Sequence, residues 1–270
     1  MTEIALHIDR SASGVPLVLL PAFPLDARMW GPVREILDKI PVIAVDPPGF
    51  GDRGAPADIT YALRAGPHAA LETYARAVAA ALDDLGVGRI VLAGVSMGGY
   101  TAMAFAELFP ARLAGIGLLD TSARTDPSDK RQGRLSMVSA LEGGQTPDAF
   151  TPGLLDSVIS PVTKTERGEL FELLSSWYAQ APTDGIIWSQ RAMAARPGRL
   201  DVLESLDVPG LVLRGVDDGL SPFDASEEMA AALGTVVVEV PRAGHLAAVE
   251  DPESVAEALR DLWQRATALS

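Results

Sequence analysis

Short hydrophobic runs alternate with amphipathic stretches along most of the chain. Runs rich in β-branched residues and leucine end at or just before glycine, proline or aspartate, which is typical of buried strands in a parallel sheet. They occupy residues 15–20, 41–46, 89–93, 116–120, 211–214 and 236–240. Apolar residues three and four positions apart predict helices at 71–85, 97–109 and 254–263. This alternation predicts a doubly wound α/β fold, with a mostly parallel central sheet flanked by helices.

The strand pattern is absent between residues 121 and 206. Glycines and prolines punctuate this stretch, but its apolar and aromatic content is too high for a disordered linker. We expect a helical cap insertion at 121–206, set into a core formed by residues 1–120 and 207–270. The cap is predicted to cover the carboxyl edge of the sheet, where Met137, Trp177 and Trp188 would line an apolar pocket.

Composition and charge narrow the classes of partner. The 270 residues carry a formal charge of −14 with a pI near 4.6, which disfavours nucleic acid and anionic membrane surfaces. The sequence has no cysteine, so disulfides, thiol nucleophiles and zinc-thiolate sites are excluded. Residues 1–10 alternate like a strand and do not resemble a signal peptide. We therefore expect a cytoplasmic protein; the oligomeric state stays open.

A sharp strand-to-helix turn is predicted at residues 94–99, which read Gly-Val-Ser-Met-Gly-Gly. Ser96 lies between Gly94 and Gly98, in the pattern of a nucleophile elbow. Small residues are needed at both flanking positions because a side chain there would collide as the backbone doubles back. The Met97 N–H would begin the helix and would be free to donate to an oxyanion.

A serine nucleophile needs a base, and the base needs an orienting acid. Of the three histidines, His245 follows the last predicted strand and is the favoured base, whereas His7 and His68 are interpreted as structural or surface residues. Three aspartates follow strands and qualify as the acid by spacing: Asp120, Asp217 and Asp218.

These segments together resemble the α/β-hydrolase family. Residues 94–99, 215–218 and 243–245 look like its nucleophile, acid and histidine segments in their usual order, and residues 23–30, 46–51 and 250–253 extend the match. The resemblance implies Asp218 as the acid and the Phe23 N–H as the second oxyanion donor. Among the branches of the family, the chain is most similar to small carboxylesterases and 3-oxoadipate enol-lactonase-like hydrolases.

The chain departs from the family pattern before Phe23, where Pro21 and Ala22 replace the usual His-Gly. The donor is a backbone N–H and Phe23 is not proline, so we expect the oxyanion hole to be retained. A second departure is Arg53, at a position of the Gly-Phe-Gly turn where the family often has a small hydroxyl residue, and no role is assigned to it.

The resemblance implies hydrolysis of a small carboxylic ester or lactone through an acyl-enzyme, without a cofactor or metal. Five arginines are candidates to bind a substrate carboxylate: Arg124, Arg131, Arg134, Arg191 and Arg196. A lyase, acyltransferase or perhydrolase of the same fold remains an alternative. A further alternative is a non-catalytic binding protein on this scaffold. Another is a dinucleotide-binding loop at residues 94–99, although Ser96 occupies the position of the second glycine of that motif.

Overall fold

The computed structural model describes residues 4–8, 14–51 and 54–268. Within these ranges a seven-stranded sheet has the order β1-β3-β2-β4-β5-β6-β7. Strand β1 is antiparallel to β3, and the remaining neighbours are parallel. The predicted mostly parallel α/β fold is therefore confirmed. The strands are β1 (Leu6–Ile8), β2 (Leu17–Leu20), β3 (Val42–Val45), β4 (Ile90–Val95), β5 (Leu113–Leu119), β6 (Gly210–Gly215) and β7 (Val237–Val240).

Helices cover both faces of the sheet. They are α1 (Gly31–Ile36), α2 (Pro56–Ala62), α3 (Leu71–Asp84), α4 (Met97–Leu108), α5 (Ser128–Glu142), α6 (Thr151–Val158), α7 (Pro161–Glu166), α8 (Gly168–Ala179), α9 (Thr183–Ala195), α10 (Leu200–Glu204), α11 (Phe223–Ala232), α12 (Ala247–Glu250) and α13 (Pro252–Ala268). Short 3-10 turns occupy Ala27–Trp30, Pro110–Arg112 and Pro147–Ala149. None of the helices within the described ranges has the length and apolarity needed to cross a membrane.

The two faces of the sheet carry separate cores because side chains alternate along each strand. Leu17 and Leu19 of β2 join the core that contains residues of α1 and α13. Val18 and Leu20 point the other way, into the core that contains residues of α3 and α4. All four β2 side chains are buried, which accounts for the continuous apolar run in the sequence.

Some predicted boundaries and burials were wrong. Strand β5 begins at Leu113, three residues before the predicted start at 116, since Gly115 and Gly117 interrupt its apolar pattern. These glycines allow close packing: a Cβ on Gly117 would lie 2.9 Å from that of Ala93. The last strand, β7, was predicted to be buried, but it lies at the edge of the sheet and Val238 is exposed. Of the strand predicted at 1–10, residues 1–3 and 9–10 lie outside the described residues, as does Arg53.

The segment between β5 and β6 contains helices α5 to α10 and no strand among its residues, all of which are described. Helices α5 and α9 pack against each other, whereas α10 packs against α4 and α11. The division into a core and a cap at 121–206 stays a prediction. We call residues 121–206 the cap segment.

Candidate active site

Ser96 lies between the last residue of β4 and the first residue of α4. Its backbone has φ 52° and ψ −111°, a conformation that costs energy for a residue with a side chain. The two flanking glycines allow this turn. A Cβ on Gly94 would lie 2.2 Å from the carbonyl carbon of Gly98, and a Cβ on Gly98 would lie 2.3 Å from the carbonyl oxygen of Leu20. The turn is therefore closed on both sides by backbone atoms.

His245 reaches Ser96 from the loop that follows β7. Its Nε2 lies 2.8 Å from the Ser96 Oγ, within hydrogen-bond distance. The imidazole is almost fully buried, and its Nδ1 lies 2.9 Å from a carboxylate oxygen of Asp218. Hydroxyl, imidazole and carboxylate thus form one continuous hydrogen-bonded chain. His7 instead lies 2.9 Å from Asp46, and His68 is exposed.

The Asp218 carboxylate is buried and held by backbone donors. Its second oxygen accepts hydrogen bonds from the N–H groups of Leu220, at 2.8 Å, and Ser221, at 3.2 Å. Burial alone would raise the pKa of Asp218, but the charge and hydrogen bond of His245, together with the two backbone hydrogen bonds, hold this pKa below its usual range. The neighbouring Asp217 is exposed.

Asp120 is fully buried at the end of β5 but bonds to backbone groups rather than to His245. One carboxylate oxygen accepts from Gly215 N–H at 2.7 Å, and the other accepts from Ala247 N–H at 3.2 Å. Burial, with a further contribution from the charge of Asp218, raises the pKa of Asp120 well above its usual range. Of the three aspartates considered, the structure brings Asp218 to His245. Asp120 instead holds the backbone at Gly215 and at Ala247.

The two expected oxyanion donors, Met97 and Phe23, come from different loops. Met97 is the first residue of α4, so its N–H has no acceptor within the helix. Phe23 lies in a turn closed by a 2.8 Å hydrogen bond from Leu25 N–H to the Ala22 carbonyl. Within the described ranges, the Phe23 N–H donates to no protein acceptor.

The backbone of Ala22 is compatible with this turn. Ala22 does not have a positive φ, so alanine in place of glycine causes no backbone strain at this position. Its N–H is directed at the sulfur of Met29, at 3.1 Å, and the residue is fully buried. A buried contact from Met29 therefore fixes the loop at the position where the family pattern has His-Gly.

The three predicted pocket residues lie in different surroundings. Trp188 belongs to the buried cluster that contains Met97, and Phe23 packs against this cluster. Trp188 also lines a cavity of about 1030 Å³. Met137 and Phe23 each pack against a small apolar cluster of Phe50, Leu141, Ala181 and Ile186. Trp177 instead lies 5.4 Å from the Arg28 guanidinium and lines a cavity of about 700 Å³. A pocket role for these residues stays a prediction.

The five candidate arginines differ in their partners. Arg124 pairs with Asp224 and Glu228, and Arg191 pairs with Glu142. The side chain of Arg131 is exposed and has no partner within the described ranges. Only Arg134 and Arg196 are largely buried, and they share one carboxylate, that of Asp126.

Glu250 is a buried acidic residue that the sequence patterns did not single out. One carboxylate oxygen accepts from Gly244 N–H at 2.8 Å, and the other accepts from Ser160 N–H at 2.9 Å. Its own carbonyl accepts a hydrogen bond from Arg167. The only sequence signal was its position at the opening of the last helix, which carries no information about these distant partners.

Comparison with known proteins gives consistent matches over nearly the whole chain. A model of the alpha/beta hydrolase family matches residues 17–258. The 3-oxoadipate enol-lactonase 2 of Acinetobacter baylyi is 28% identical over 257 residues, which cover 92% of this chain and 88% of that protein. A thermophilic esterase from Thermogutta terrifontis, solved with malate bound, is 33% identical with a TM-score of 0.89, over 98% of this chain and 94% of the other.

A second solved structure supports the fold alone, because its sequence identity is low. The enol-lactonase from Burkholderia xenovorans is 21% identical and has a TM-score of 0.84, over 97% of this chain and 96% of the other.

Proposed function

The chain belongs to the alpha/beta hydrolase family, and from that premise we propose that it hydrolyses small carboxylic esters or lactones through an acyl-enzyme formed on Ser96. The observation that carries the proposal is the hydrogen-bonded chain from Ser96 through His245 to Asp218, with distances of 2.8 and 2.9 Å. These three groups have the geometry that general-base activation of a serine hydroxyl requires.

In the acylation step, the Ser96 Oγ attacks the ester carbonyl and its proton passes to Nε2 of His245. The imidazolium then gives this proton to the departing alkoxide oxygen, which leaves as the alcohol. The buried Asp218 carboxylate keeps the other ring nitrogen protonated and stabilises the imidazolium. Its pKa lies below the usual range despite burial, because of His245, so it is ionised when the step occurs.

The negative charge that develops on the carbonyl oxygen is stabilised by the N–H groups of Met97 and Phe23. The Met97 N–H belongs to the first turn of α4 and the Phe23 N–H to the turn closed by Leu25, which supports this role for both. Water then attacks the acyl-enzyme with His245 as general base, and the carboxylic acid is released as Ser96 regains its proton.

The relatives support the substrate class. A protein that is 33% identical is named an esterase and was solved with malate bound, and one that is 28% identical is named an enol-lactonase. Both names describe cleavage of an acyl–oxygen bond in a small molecule. A small-molecule ester or lactone is accordingly the proposed partner, and the cytoplasmic location and independence from cofactors stay predictions.

Hydrolysis of p-nitrophenyl butyrate by the purified protein tests the proposal, together with labelling by a fluorophosphonate probe. We expect Ser96→Ala to lower kcat by about 10⁴-fold or more and to prevent labelling. Ser139→Ala serves as the matched control, since Ser139 is an exposed serine on helix α5. The proposal is wrong if the folded Ser96→Ala protein keeps its activity or is labelled as the wild type is.

A further inference from the structure

Two buried arginines share a single carboxylate in the cap segment. Asp126 accepts a hydrogen bond from Arg134 Nε at 2.6 Å and one from Arg196 Nη2 at 2.8 Å. The three side chains are 2%, 11% and 4% exposed, in the order Asp126, Arg134 and Arg196. No second carboxylate pairs with either guanidinium within the described residues, so the group carries one excess positive charge.

The two guanidiniums differ in which of their N–H donors have an acceptor. Arg196 also donates to the carbonyls of Met193 and Arg124, and its guanidinium carbon lies 3.8 Å from the centre of the Tyr100 ring. Arg134 donates from Nη1 to the Gln190 side-chain oxygen at 3.0 Å. Its Nη2 donates to no protein acceptor in the ranges that the structure describes. Arg196 also keeps one unpaired donor, its Nε, but that atom is fully buried. The unpaired Nη2 of Arg134 is not fully buried, so Arg134 is the member of the group whose free donor a ligand can reach.

Two sets of contacts connect this group with the proposed reaction site. Tyr100, beneath Arg196, is one turn into helix α4, and its N–H donates to the Ser96 carbonyl at 3.1 Å. On the other side, the Gln190 amide lies 3.1 Å from the sulfur of Met137, and Met137 packs against the same small apolar cluster as Phe23. The excess charge thus lies between Tyr100, which is one turn along the helix from Met97, and Met137, which shares an apolar cluster with Phe23.

A buried cation without a counterion is unfavourable, and an anionic ligand would remove that cost. The whole chain carries a charge of −14, so a buried site with a net positive charge is opposite in sign to the protein as a whole. We propose that Arg134 binds a free carboxylate on the substrate, so that the enzyme acts preferentially on esters or lactones of acidic molecules. This inference rests on the proposed function at Ser96 and specifies its substrate class.

Paired substrates that differ only in charge test this inference. Monoethyl glutarate and monoethyl adipate would be compared with ethyl pentanoate and ethyl hexanoate, in which a methyl group replaces the carboxylate. Butyryl glycolate, compared with ethyl butanoate, places the charge on the alcohol side. Proton release at constant pH follows all reactions. We expect a kcat/KM about 10- to 100-fold higher for the acidic member of at least one pair, the value of a charged hydrogen bond.

Arg134→Gln should abolish that preference by raising KM for the acidic ester, and kcat/KM for the acidic ester should fall about tenfold or more relative to that for the neutral ester. Asp126 keeps Arg196 as its partner in this variant, so no carboxylate is left unpaired. Arg134→Lys should restore part of the preference. Arg131→Gln makes the same change in charge on an exposed position of the same helix and should have no effect. Equal kinetics on both members of every pair in the wild type, or an equal loss on both in Arg134→Gln, would overturn the inference.

Binding of glutarate, followed by tryptophan fluorescence, separates this inference from the proposed function. A protein that hydrolyses no ester and takes no fluorophosphonate label contradicts the function at Ser96, whatever it binds. Glutarate binding that weakens about tenfold or more in Arg134→Gln, and is unchanged in Arg131→Gln, would still support the carboxylate site. Glutarate binding that is the same in all three proteins contradicts it.

Discussion

Glu250 accepts a hydrogen bond from the backbone N–H of Gly244, at 2.8 Å, and so fixes the residue that precedes His245. Its other oxygen holds the N–H of Ser160, at 2.9 Å, in the cap segment. The two backbone stretches are in close contact, because a Cβ on Gly244 would lie 2.8 Å from the Ser160 nitrogen. One buried carboxylate therefore sets the position of the histidine loop relative to the cap segment.

Replacement of Glu250 by glutamine should reduce both stability and turnover. The amide keeps one acceptor oxygen but turns an NH₂ group toward the second backbone donor, which leaves that buried N–H unpaired. We expect a loss of about 1–3 kcal/mol in the free energy of unfolding, measured by urea denaturation. The looser His245 loop should also lower kcat on p-nitrophenyl butyrate. Glu253→Gln, at an exposed position of α13, is the control. Wild-type stability in Glu250→Gln would show that the bridge has no energetic role.

The fold was predictable because it depends on local periodicity. Apolar runs and amphipathic helices depend on near neighbours in the sequence, and the strand-to-helix turn at Ser96 requires small residues only two positions away. The identity of the acid was not predictable by the same means. Strands β5 and β6 are adjacent and parallel, so Asp120 and Asp218 both follow strands at the same edge of the sheet.

The polar contacts of the cap segment, both with the rest of the chain and within the segment, could not be predicted for a related reason. Glu250 and Ser160 are separated by 90 positions, and Arg134 and Gln190 by 56. No periodic pattern links residues at such separations, and the partners of each charged side chain depend on how the helices of the cap segment pack in three dimensions. The same dependence explains why Trp177, chosen as a large apolar residue of the cap, instead lies against Arg28.

Gly98→Ala tests the packing of the turn at Ser96. The new methyl group would lie 2.3 Å from the carbonyl oxygen of Leu20, which belongs to the buried strand β2 and has little room to move. We expect a loss of about 1–3 kcal/mol or more in stability, together with loss of esterase activity, because the turn must shift. Circular dichroism, urea denaturation and turnover of p-nitrophenyl butyrate would measure these effects.

The matched control for that substitution is Gly133→Ala, in the middle of α5, where a Cβ meets no atom within 4 Å. Alanine favours helix, so this variant should be about 0.5–1 kcal/mol more stable than the wild type. A Gly98→Ala protein as stable and active as Gly133→Ala would contradict the role given to close packing at the turn.

Asp126→Asn removes the only carboxylate that faces Arg134 and Arg196 in the described part of the chain. Two largely buried guanidiniums would then lack a counterion, and we expect a loss of about 3 kcal/mol in the free energy of unfolding. Addition of Arg134→Gln should recover part of this loss, since one of the two unpaired charges is removed. Urea denaturation of the wild type, both single variants and the double variant gives the coupling energy, and additive losses would contradict the shared pairing.

We expect the raised pKa of buried Asp120 to make the free energy of unfolding depend on pH. Burial, with the charge of Asp218, raises the pKa of Asp120 in the folded protein well above its usual range. The unfolded chain releases this proton at about pH 3.9. Between that pH and the raised pKa, the folded state binds more protons than the unfolded state, so the free energy of unfolding falls as pH rises.

Asp218 contributes in the opposite direction and in a different window. Its pKa in the folded protein is lowered, against the effect of burial, by the charge and hydrogen bond of His245. The stability that it provides is complete above about pH 3.9 and is lost as pH falls through the lowered value. A titration of stability upward from about pH 4.5 therefore isolates Asp120 from Asp218.

We expect Asp120→Asn to weaken the fall in stability between about pH 4.5 and 7.5, because the amide does not ionise. The variant should also lose stability at every pH in this range. Both oxygens of Asp120 accept backbone hydrogen bonds, from Gly215 and Ala247, and the amide keeps only one acceptor. Urea denaturation at several pH values measures the slope, with Asp217→Asn as the exposed control. If Asp120→Asn and the wild type have the same slope over this range, Asp120 ionises in the folded protein as an ordinary aspartate does.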